Sequence, residues 1–348
     1  MTTGDDDQEL STFVAMSVQI SGPAEVARIA GQIRANVEQV IEGKSDVVGL
    51  ALVGLLAEGH LLIEDVPGVG KTMLAKALAR SIDCSVRRIQ FTPDLLPSDI
   101  TGVNVYNQEQ GDFEFKPGAI FANIVLGDEI NRASPKTQAA LLESMEEHQV
   151  TMDGVTYQLG VPFMVIATQN PIEHEGTYPL PESQRDRFLL QLEVGYPTRE
   201  AEIDILETHG RRSRLGDIGP VADAPAVAGL IDWCRSLYVA DSLKRYIVDL
   251  TRATREHADL TLGASPRASL ALLRAARASA ALAGRDFVVP DDVKDLVQPV
   301  LAHRLILAPE AQLVGRTTAD VLATLVEQVP VPVAPRGSDG GGQARAGG

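Results

Sequence analysis

The sequence predicts a doubly wound α/β fold, in which helices cover both faces of a mostly parallel sheet, followed by an all-helical second domain. From about residue 60 to residue 196, short apolar runs alternate with helical patterns, as is typical of such sheets. After residue 197 only helical periodicity continues. We therefore divide the chain into an acidic tail predicted to be disordered (1–21), an α/β domain (22–197), a helical domain (198–329) and a low-complexity tail (330–348).

The elements of the first domain follow from the period of its apolar residues. Helical periodicity begins near Pro23, and a second helix covers about Asp46–Ala57. Asp99–Phe121 has an alternating strand–turn pattern, and Gln149–Leu159 places an Asp-Gly turn between β-prone arms, which predicts a hairpin. The remaining predicted strands are His60–Ile63, Val86–Ile89, Ile124–Leu126, Phe163–Ala167 and Leu189–Leu192.

The second domain shows helical patterns, and no strong strand signal interrupts them. They predict a separate domain that follows the sheet. The predicted helices are Arg199–His209, Ala224–Ser236, Asp241–His257, Pro266–Ala283 and Asp291–Leu301.

The overall charge limits the classes of partner. The net charge of −16, from 47 acidic and 31 basic residues, argues against a nucleic-acid surface as the main partner. Cys84 and Cys234 are too few and too far apart for a disulfide framework or a zinc site, which indicates a reducing compartment. The first basic residue, Arg28, follows an acidic stretch, and no apolar run is long enough for a membrane span. We expect a cytoplasmic protein.

The most informative stretch, Leu61–Thr72, reads LLIEDVPGVGKT. An apolar strand, a glycine-containing turn and a helical pattern follow one another in the order that a phosphate-binding loop requires. Lys71 can reach the β- and γ-phosphates, and the Thr72 hydroxyl can bind Mg²⁺. Asp65 stands where the usual pattern has glycine, and a plain glycine-rich turn is the alternative interpretation. The predicted nucleotide contacts are Pro67, Gly68, Val69, Gly70, Lys71, Thr72 and Met73.

Two further predicted strands end in polar residues. The segment IVLGDEINR ends its strand at Asp128 and Glu129, where Asp128 can hold Mg²⁺ and Glu129 can orient the attacking water. The segment FMVIATQN ends in Asn170, whose amide can hydrogen-bond a γ-phosphate or that water. Because ligands of open α/β sheets bind beyond the carboxyl ends of the strands, these residues and Lys71 should share one edge. The alternatives are a solvated turn for the carboxylates and a simple turn-forming role for Asn170.

Two arginine-containing segments follow. In PESQRDRF, Arg185 and Arg187 are crowded beside an acidic residue, and a surface ion pair of little energetic value is the alternative to a functional role. In GASPRA, Ser265 reads as a helix cap and Pro266 as the first helical residue. Arg267 then lies in the first turn, where the helix dipole disfavours a cation. That position suggests an external anion, although a nearby carboxylate would satisfy the guanidinium equally well.

The order VPGVGKT, GDEINR, ATQNP, DRF and GASPRA resembles the AAA+ ATPases, and specifically the MoxR family, over roughly Pro23 to Leu313. The family shares the EDVPGVGKT form of the loop, with its Asp65. The roles that the resemblance implies are Walker A at Lys71 and Thr72, Walker B at Asp128 and Glu129, sensor 1 at Asn170, the arginine finger at Arg187 and sensor 2 at Arg267.

The same resemblance implies a fold, cofactors and partners. The α/β domain would be the AAA+ nucleotide-binding domain and the helical domain its lid, with ATP between them and Mg²⁺ as the metal. An arginine that acts on the next subunit implies a homo-oligomeric ring, most simply a hexamer. The motif QRDRF leaves open whether Arg185 or Arg187 is that residue. The family implies ATP hydrolysis that drives chaperone-like remodelling or maturation of a partner complex, usually with a von Willebrand factor A-domain protein.

Two functions of other classes stay open on the sequence alone. One is a nucleic-acid motor of a related AAA+ clade, which the acidic net charge disfavours, and the other is a nucleotide-gated binding scaffold. Tyr106, Phe113 and Phe115 are candidates for aromatic pore-loop residues that contact a client. We interpret all three instead as residues buried in the packing of a hairpin.

Overall fold

The computed structural model describes residues 18–65, 69–170, 176–196, 199, 202–203 and 214–332. Several predictions fall wholly or mostly outside these ranges. They are the acidic tail, the loop positions Pro67 and Gly68, the helix Arg199–His209 and the low-complexity tail.

A five-stranded parallel sheet forms the centre of the chain. Its strands are β1 Leu61–Glu64, β2 Val86–Gln90, β5 Ile124–Asp128, β8 Met164–Gln169 and β9 Leu190–Leu192. They pair in the order β2-β5-β8-β1-β9. All five strands predicted for this sheet are confirmed, with ends that shift by a few residues. Strands β5 and β8 lie inside the sheet and are almost completely buried, which explains their continuous apolar runs.

The register of the sheet sets the carboxyl ends of neighbouring strands side by side. Gln90 at the end of β2 pairs with Asp128 at the end of β5. Thr168, near the end of β8, pairs with Ile63 of β1. The polar residues that close these strands therefore share one edge of the sheet, as predicted.

Hydrophobic cores cover both faces of the sheet because successive side chains of a strand point to opposite sides. Leu61 and Ile63 of β1 belong to one core, and Leu62 between them belongs to the other. The first core also contains the N-terminal helices and the helices that follow residue 214, and the second contains Phe91 and Phe188. This arrangement confirms the doubly wound α/β fold.

The helices that were predicted within the described residues begin and end close to the predicted boundaries. Within the described residues, none is long and apolar enough to cross a membrane. They are α1 Pro23–Glu38, α2 Ser45–Leu56, α3 Lys71–Ser81, α4 Pro97–Thr101, α5 Pro135–Glu147, α6 Glu182–Arg185, α7 Ala224–Ser236, α8 Asp241–Glu256, α9 Pro266–Leu282, α10 Pro290–Leu301, α11 Pro309–Leu313 and α12 Thr318–Gln328.

Two hairpins extend from the sheet domain. The first joins β3 Gly102–Asn107 to β4 Asp112–Pro117, and the second joins β6 Gln149–Met152 to β7 Val155–Gln158. In the second hairpin Asp153 and Gly154 both have positive φ, 49° and 85°, as the predicted Asp-Gly turn requires.

The aromatic residues of the first hairpin correct one interpretation. Phe115 is buried and stacks on Tyr157, with ring centroids 4.0 Å apart. Tyr106 and Phe113 instead contact each other edge to face near the turn of the hairpin, with 53% and 66% of their surfaces accessible. The interpretation as buried residues is therefore wrong for Tyr106 and Phe113. Phe113 shares its face of β4 with Phe115, but it lies closer to the turn, where the hairpin extends away from the core.

The second region is helical, as predicted, with three additions, one of which is the five-residue helix α11. A short antiparallel ribbon pairs β10 Leu260–Leu262 with β11 Ile306–Leu307. Strands of two or three residues give no usable period, so the sequence pattern did not indicate them. The helix α12 was also missed, although Thr317 and Asp320 form a capping box at its start, which is a recognisable signal.

Candidate active site

The loop between β1 and α3 is the predicted phosphate loop. Gly70, directly before α3, has a φ of 95°, a left-handed conformation that favours glycine. The Lys71 ammonium donates a hydrogen bond to the Asp65 carbonyl at 2.8 Å, and the Asp65 carboxylate accepts one from the Gly195 N–H at 2.5 Å. Asp65, the departure from the usual motif, thus fastens the loop to the segment that follows β9.

Thr168 of β8 positions the two carboxylates that end β5. Its hydroxyl donates to Asp128 Oδ1 at 3.3 Å and accepts a hydrogen bond from the Glu129 N–H at 3.0 Å. Asp128 is buried, and Glu129 has a φ of 59°. A left-handed conformation is costly for a residue with a Cβ atom and persists where the surroundings hold it, often at functional sites.

Strand β2 supplies further partners that the sequence analysis missed. Arg88 Nε donates to Asp128 Oδ2 at 2.6 Å, and Gln90 Nε2 donates to Glu129 Oε2 at 3.1 Å. Arg132 Nε lies 3.0 Å from the same Glu129 oxygen. The available signal was the spacing of Arg88 and Gln90, which places both on one face of a strand adjacent to β5.

These residues enclose an open cleft of about 340 Å³ at the carboxyl edge of the sheet. That volume lies within the range of small-ligand sites. The pKa of Lys71 lies below its usual value, because partial burial lowers it more than the nearby carboxylates of Asp65, Asp128 and Glu129 raise it. The cleft is lined by Gly70, Lys71, Thr72, Met73, Arg88, Gln90, Asp128, Glu129, Thr168 and Asn170.

The donor set of the cleft fits Mg²⁺ bound together with a phosphate ligand. Magnesium is commonly held by one or two carboxylates plus substrate phosphates and water, and not by a full protein cage. Thr72 and Asp128 line the same cleft and offer a hydroxyl and a carboxylate. Within the described part of the chain, no group of three or more His, Cys, Asp or Glu residues could hold a metal alone.

Arg187 and Arg267 lie elsewhere, near the amino ends of β1 and β9. Both pair with Glu146 of α5: Arg187 Nε lies 3.2 Å from Oε2, and Arg267 Nη2 donates to Oε1. They line a second cavity of about 210 Å³ with Gly59, which precedes β1. The expectation that Arg267 contacts nucleotide in the cleft of its own chain is therefore corrected, because the anion beside it is a carboxylate at the opposite edge.

The segment that carries Arg187 is fastened by the helical region. Arg304, almost fully buried, donates to Asp186 Oδ1 at 2.7 Å and to the Phe188 carbonyl at 2.6 Å. The Ser265 hydroxyl, which caps α9 as predicted, donates to Asp186 Oδ2 at 3.0 Å. These contacts join sequence-distant residues, so no local pattern predicts them.

The ATPase family associated with various cellular activities matches residues 60–190, and the AAA lid domain matches residues 252–325. Chaperone MoxR1 of Mycobacterium tuberculosis is 42% identical over 309 residues, which cover 85% of this chain and 80% of the relative. This chain belongs to the MoxR family of AAA+ ATPases. Protein MoxR of Paracoccus denitrificans is 31% identical, with 85% of this chain and 94% of the relative covered.

Two other comparisons agree with the family and its fold. The uncharacterized protein YeaC of Bacillus subtilis is 50% identical over 305 residues, which cover 88% of this chain and 95% of YeaC. A crystal structure from Cytophaga hutchinsonii, provisionally named an ATPase, matches with a TM-score of 0.83 and 37% identity, covering 89% of this chain and 97% of that one. The fold of this MoxR-family chain is thus an AAA+ domain followed by a helical lid.

Proposed function

We propose that this MoxR-family protein hydrolyses ATP in the cleft at the carboxyl edge of its sheet and uses the reaction to remodel a partner protein complex. The observation that carries the proposal is that Lys71, Asp128 and Glu129 line one cleft, where Thr168 bonds the Asp128 carboxylate and the Glu129 N–H. A cation for phosphate and two ordered carboxylates are the groups that phosphoryl transfer to water requires.

Each residue has a distinct role in this reaction. Lys71 binds the β- and γ-phosphates. Thr72 and Asp128 would hold Mg²⁺, which would supply positive charge for the phosphate oxygens. Glu129 orients the attacking water as a general base. Asn170 contributes an amide at the end of β8, and it hydrogen-bonds the γ-phosphate or that water.

The arginines act on the neighbouring subunit in this proposal. Strands of four to six residues separate the Lys71 cleft from the Arg187 cavity, a distance of roughly 13–20 Å along the sheet. One guanidinium side chain does not cover that distance, so Arg187 and Arg267 serve the nucleotide of an adjacent copy. A contact between two different edges is heterologous, and it closes into a ring, most simply a hexamer.

The use of the hydrolysis energy is inferred from the family. A relative with 42% identity is named a chaperone, which supports a remodelling or maturation role for this chain. A von Willebrand factor A-domain protein is the proposed partner class, and the cytoplasm is the proposed compartment. The net charge of −16 disfavours nucleic acid as the substrate.

Two variants test the ATPase proposal. Lys71→Ala should remove most ATP affinity in calorimetry while the protein stays folded, because the side chain lies in the cleft and not in the core. Glu129→Gln should bind ATP and Mg²⁺ but hydrolyse at least ~10²-fold more slowly, as expected for loss of a positioned base. Unchanged ATP binding by Lys71→Ala would remove the phosphate-loop assignment.

A third experiment separates remodelling from a binding scaffold. The affinity for the partner, once isolated, should differ between the ATP-bound and ADP-bound protein, and Glu129→Gln should hold the partner in the ATP-bound mode. A ligand-driven change needs unequal interactions with the two states. Partner release by Glu129→Gln at the wild-type rate would favour a nucleotide-gated scaffold, and duplex DNA that stimulates turnover would favour a nucleic-acid motor.

A further inference from the structure

Glu146, near the end of α5, lies between the two arginines and has no role in the mechanism so far. About a third of its side chain is exposed, as are 30% of the Arg187 and 45% of the Arg267 side chains. The three residues line the same cavity, which opens to solvent at the amino edge of the sheet, the edge where the parallel strands begin. An external anion can therefore reach both guanidinium groups.

The charges of this cluster do not balance locally. One carboxylate faces two guanidinium groups, and its two oxygens are divided between them, Oε2 toward Arg187 and Oε1 toward Arg267. The contact with Arg187 is an ion pair without hydrogen-bond geometry, since the buried Arg187 Nε makes no hydrogen bond. The cluster thus has two guanidinium groups for one carboxylate, and the exposed parts of both guanidinium side chains face the cavity.

Glu146 also joins two separate parts of the chain. It lies on α5 of the sheet domain, and Arg187 belongs to the same domain. Arg267, in contrast, lies in the first turn of α9 in the lid. Without the carboxylate, two cations on separate elements would repel each other, and Arg267 would lose the acceptor that fixes its orientation. A long side chain without a partner samples many rotamers, and ordering it costs free energy.

We propose that Glu146 is a positioning residue, which holds the lid arginine Arg267 beside Arg187 so that both guanidinium groups meet the same phosphate of the neighbouring subunit. This inference rests on the proposed function, in which the two arginines act in trans. Glu146 itself does not touch the nucleotide. It raises the rate by orienting Arg267 and does not contribute to ATP binding in the cleft of its own chain.

A mutant cycle with Arg267 tests this role. Glu146→Gln keeps the size of the side chain and removes its charge, and we expect kcat to fall on the order of 10-fold while the Kd for ATP stays unchanged. In an Arg267→Ala background the same change should alter kcat by less than about twofold, because a residue that acts only through Arg267 has nothing left to orient. Glu147→Gln, the adjacent charge on α5, is the matched control and should leave kcat unchanged.

Each outcome decides the proposal. A purely structural role for Glu146 would lower kcat by the same factor in both backgrounds, and a Glu146→Gln protein with wild-type kcat would show that it positions nothing. Thermal unfolding and sizing of every variant establish that folding and assembly are intact. If instead Arg187→Ala retains wild-type turnover, the trans arrangement of the proposed function fails, and the role of Glu146 fails with it. If Arg187→Ala is inactive but Glu146→Gln lowers kcat by the same factor in both backgrounds, only the role of Glu146 is ruled out.

Discussion

The two edges of the central sheet differ in charge and in the way they are built. At the carboxyl edge, strand ends and one helix start bring together Lys71, Asp128 and Glu129 around an open cleft. At the amino edge, three separate parts of the chain meet around a second cavity. Glu146 comes from α5, Arg187 from the segment before β9 and Arg267 from the lid. The first edge contains the groups proposed to bind phosphate, Mg²⁺ and water, and the second contains guanidinium groups beyond the reach of that cleft.

Under the proposed function, the difference means that neither edge is a complete site for ATP hydrolysis. Phosphoryl transfer is accelerated by a cation that neutralises the transition-state charge, in addition to the metal and the phosphate loop. We propose that the carboxyl edge of one copy and the amino edge of the next together supply all these groups. Assembly would then control activity directly, since an isolated subunit holds the two halves of the proposed site at opposite edges of the sheet.

The largest expected effect comes from removing the guanidinium at the amino edge. Arg187→Ala should bind ATP normally in calorimetry and lose ~10³-fold or more in kcat, the contribution typical of an arginine finger. The decisive measurement mixes this variant with Lys71→Ala, which keeps Arg187 but should be inactive because it does not bind ATP. In mixed rings some interfaces pair an intact loop with an intact arginine, and ATPase activity should return.

Two controls make that result specific. Arg185→Ala should keep most activity, because Arg185 does not line the cavity that contains Arg187 and Arg267. Subunit exchange must be demonstrated by labelling, since rings that do not mix give no recovery for a trivial reason. Absence of recovery with proven exchange would falsify action in trans and leave Arg187 as a local partner of Glu146.

A smaller effect is expected at the carboxyl edge from Thr168, which bonds the Asp128 carboxylate and the backbone N–H of Glu129. Thr168→Val removes the hydroxyl that bonds Asp128 and the Glu129 N–H, and we expect kcat to fall about 10- to 100-fold, as for a misplaced catalytic group. ATP affinity should change little, because Lys71 is untouched. Thr168→Ser restores the hydroxyl and should recover most of the rate, and a Ser variant as slow as Val would assign the loss to packing.

The carboxyl edge could be predicted from the sequence because each of its residues follows directly from a local pattern. The apolar runs before Asp128 and Asn170 indicate parallel strands, and parallel strands end at one edge. The glycine turn before Lys71 indicates a helix start at the same edge. Four neighbours of these residues were not predicted. Arg88 and Gln90 lie on a partly exposed edge strand, which reveals its functional face once its neighbour is known. Arg132 and Thr168 lie within the segments that were singled out, but their partners Glu129 and Asp128 are known only from the structure.

The amino edge could not be predicted in the same way. The segments of Arg187 and Arg267 were identified, but their common partner Glu146 lies 41 residues before Arg187 and 121 before Arg267 in the chain. No period or motif connects these positions, because lid packing and buried contacts such as Arg304 with Asp186 bring them together. The position of Arg267 at a helix start suggested an external anion, with a nearby carboxylate as the alternative, and in the structure the Glu146 carboxylate lies beside it.

The smallest predicted effect concerns the stability of the amino edge in acid. Burial lowers the pKa of His60 from 6.5 to about 3, and burial also lowers the pKa of His303 well below its usual value. His60 Nε2 bonds the Met145 carbonyl beside Glu146, and His303 Nε2 bonds the Phe188 carbonyl beside Arg187. Both rings are neutral in the native state, whereas the unfolded chain binds protons below about pH 6.5. The unfolding free energy therefore falls as the pH drops.

Urea unfolding at several pH values measures this effect. For His60 the loss is up to about 1.4 kcal/mol per pH unit between about pH 6.5 and pH 3, so wild type should lose up to about 2 kcal/mol from this residue between about pH 7.5 and pH 5. His60→Gln keeps an N–H donor and does not titrate, so its unfolding free energy should fall less steeply over the same range. Equal slopes for wild type and His60→Gln would mean that another group makes the amino edge sensitive to acid.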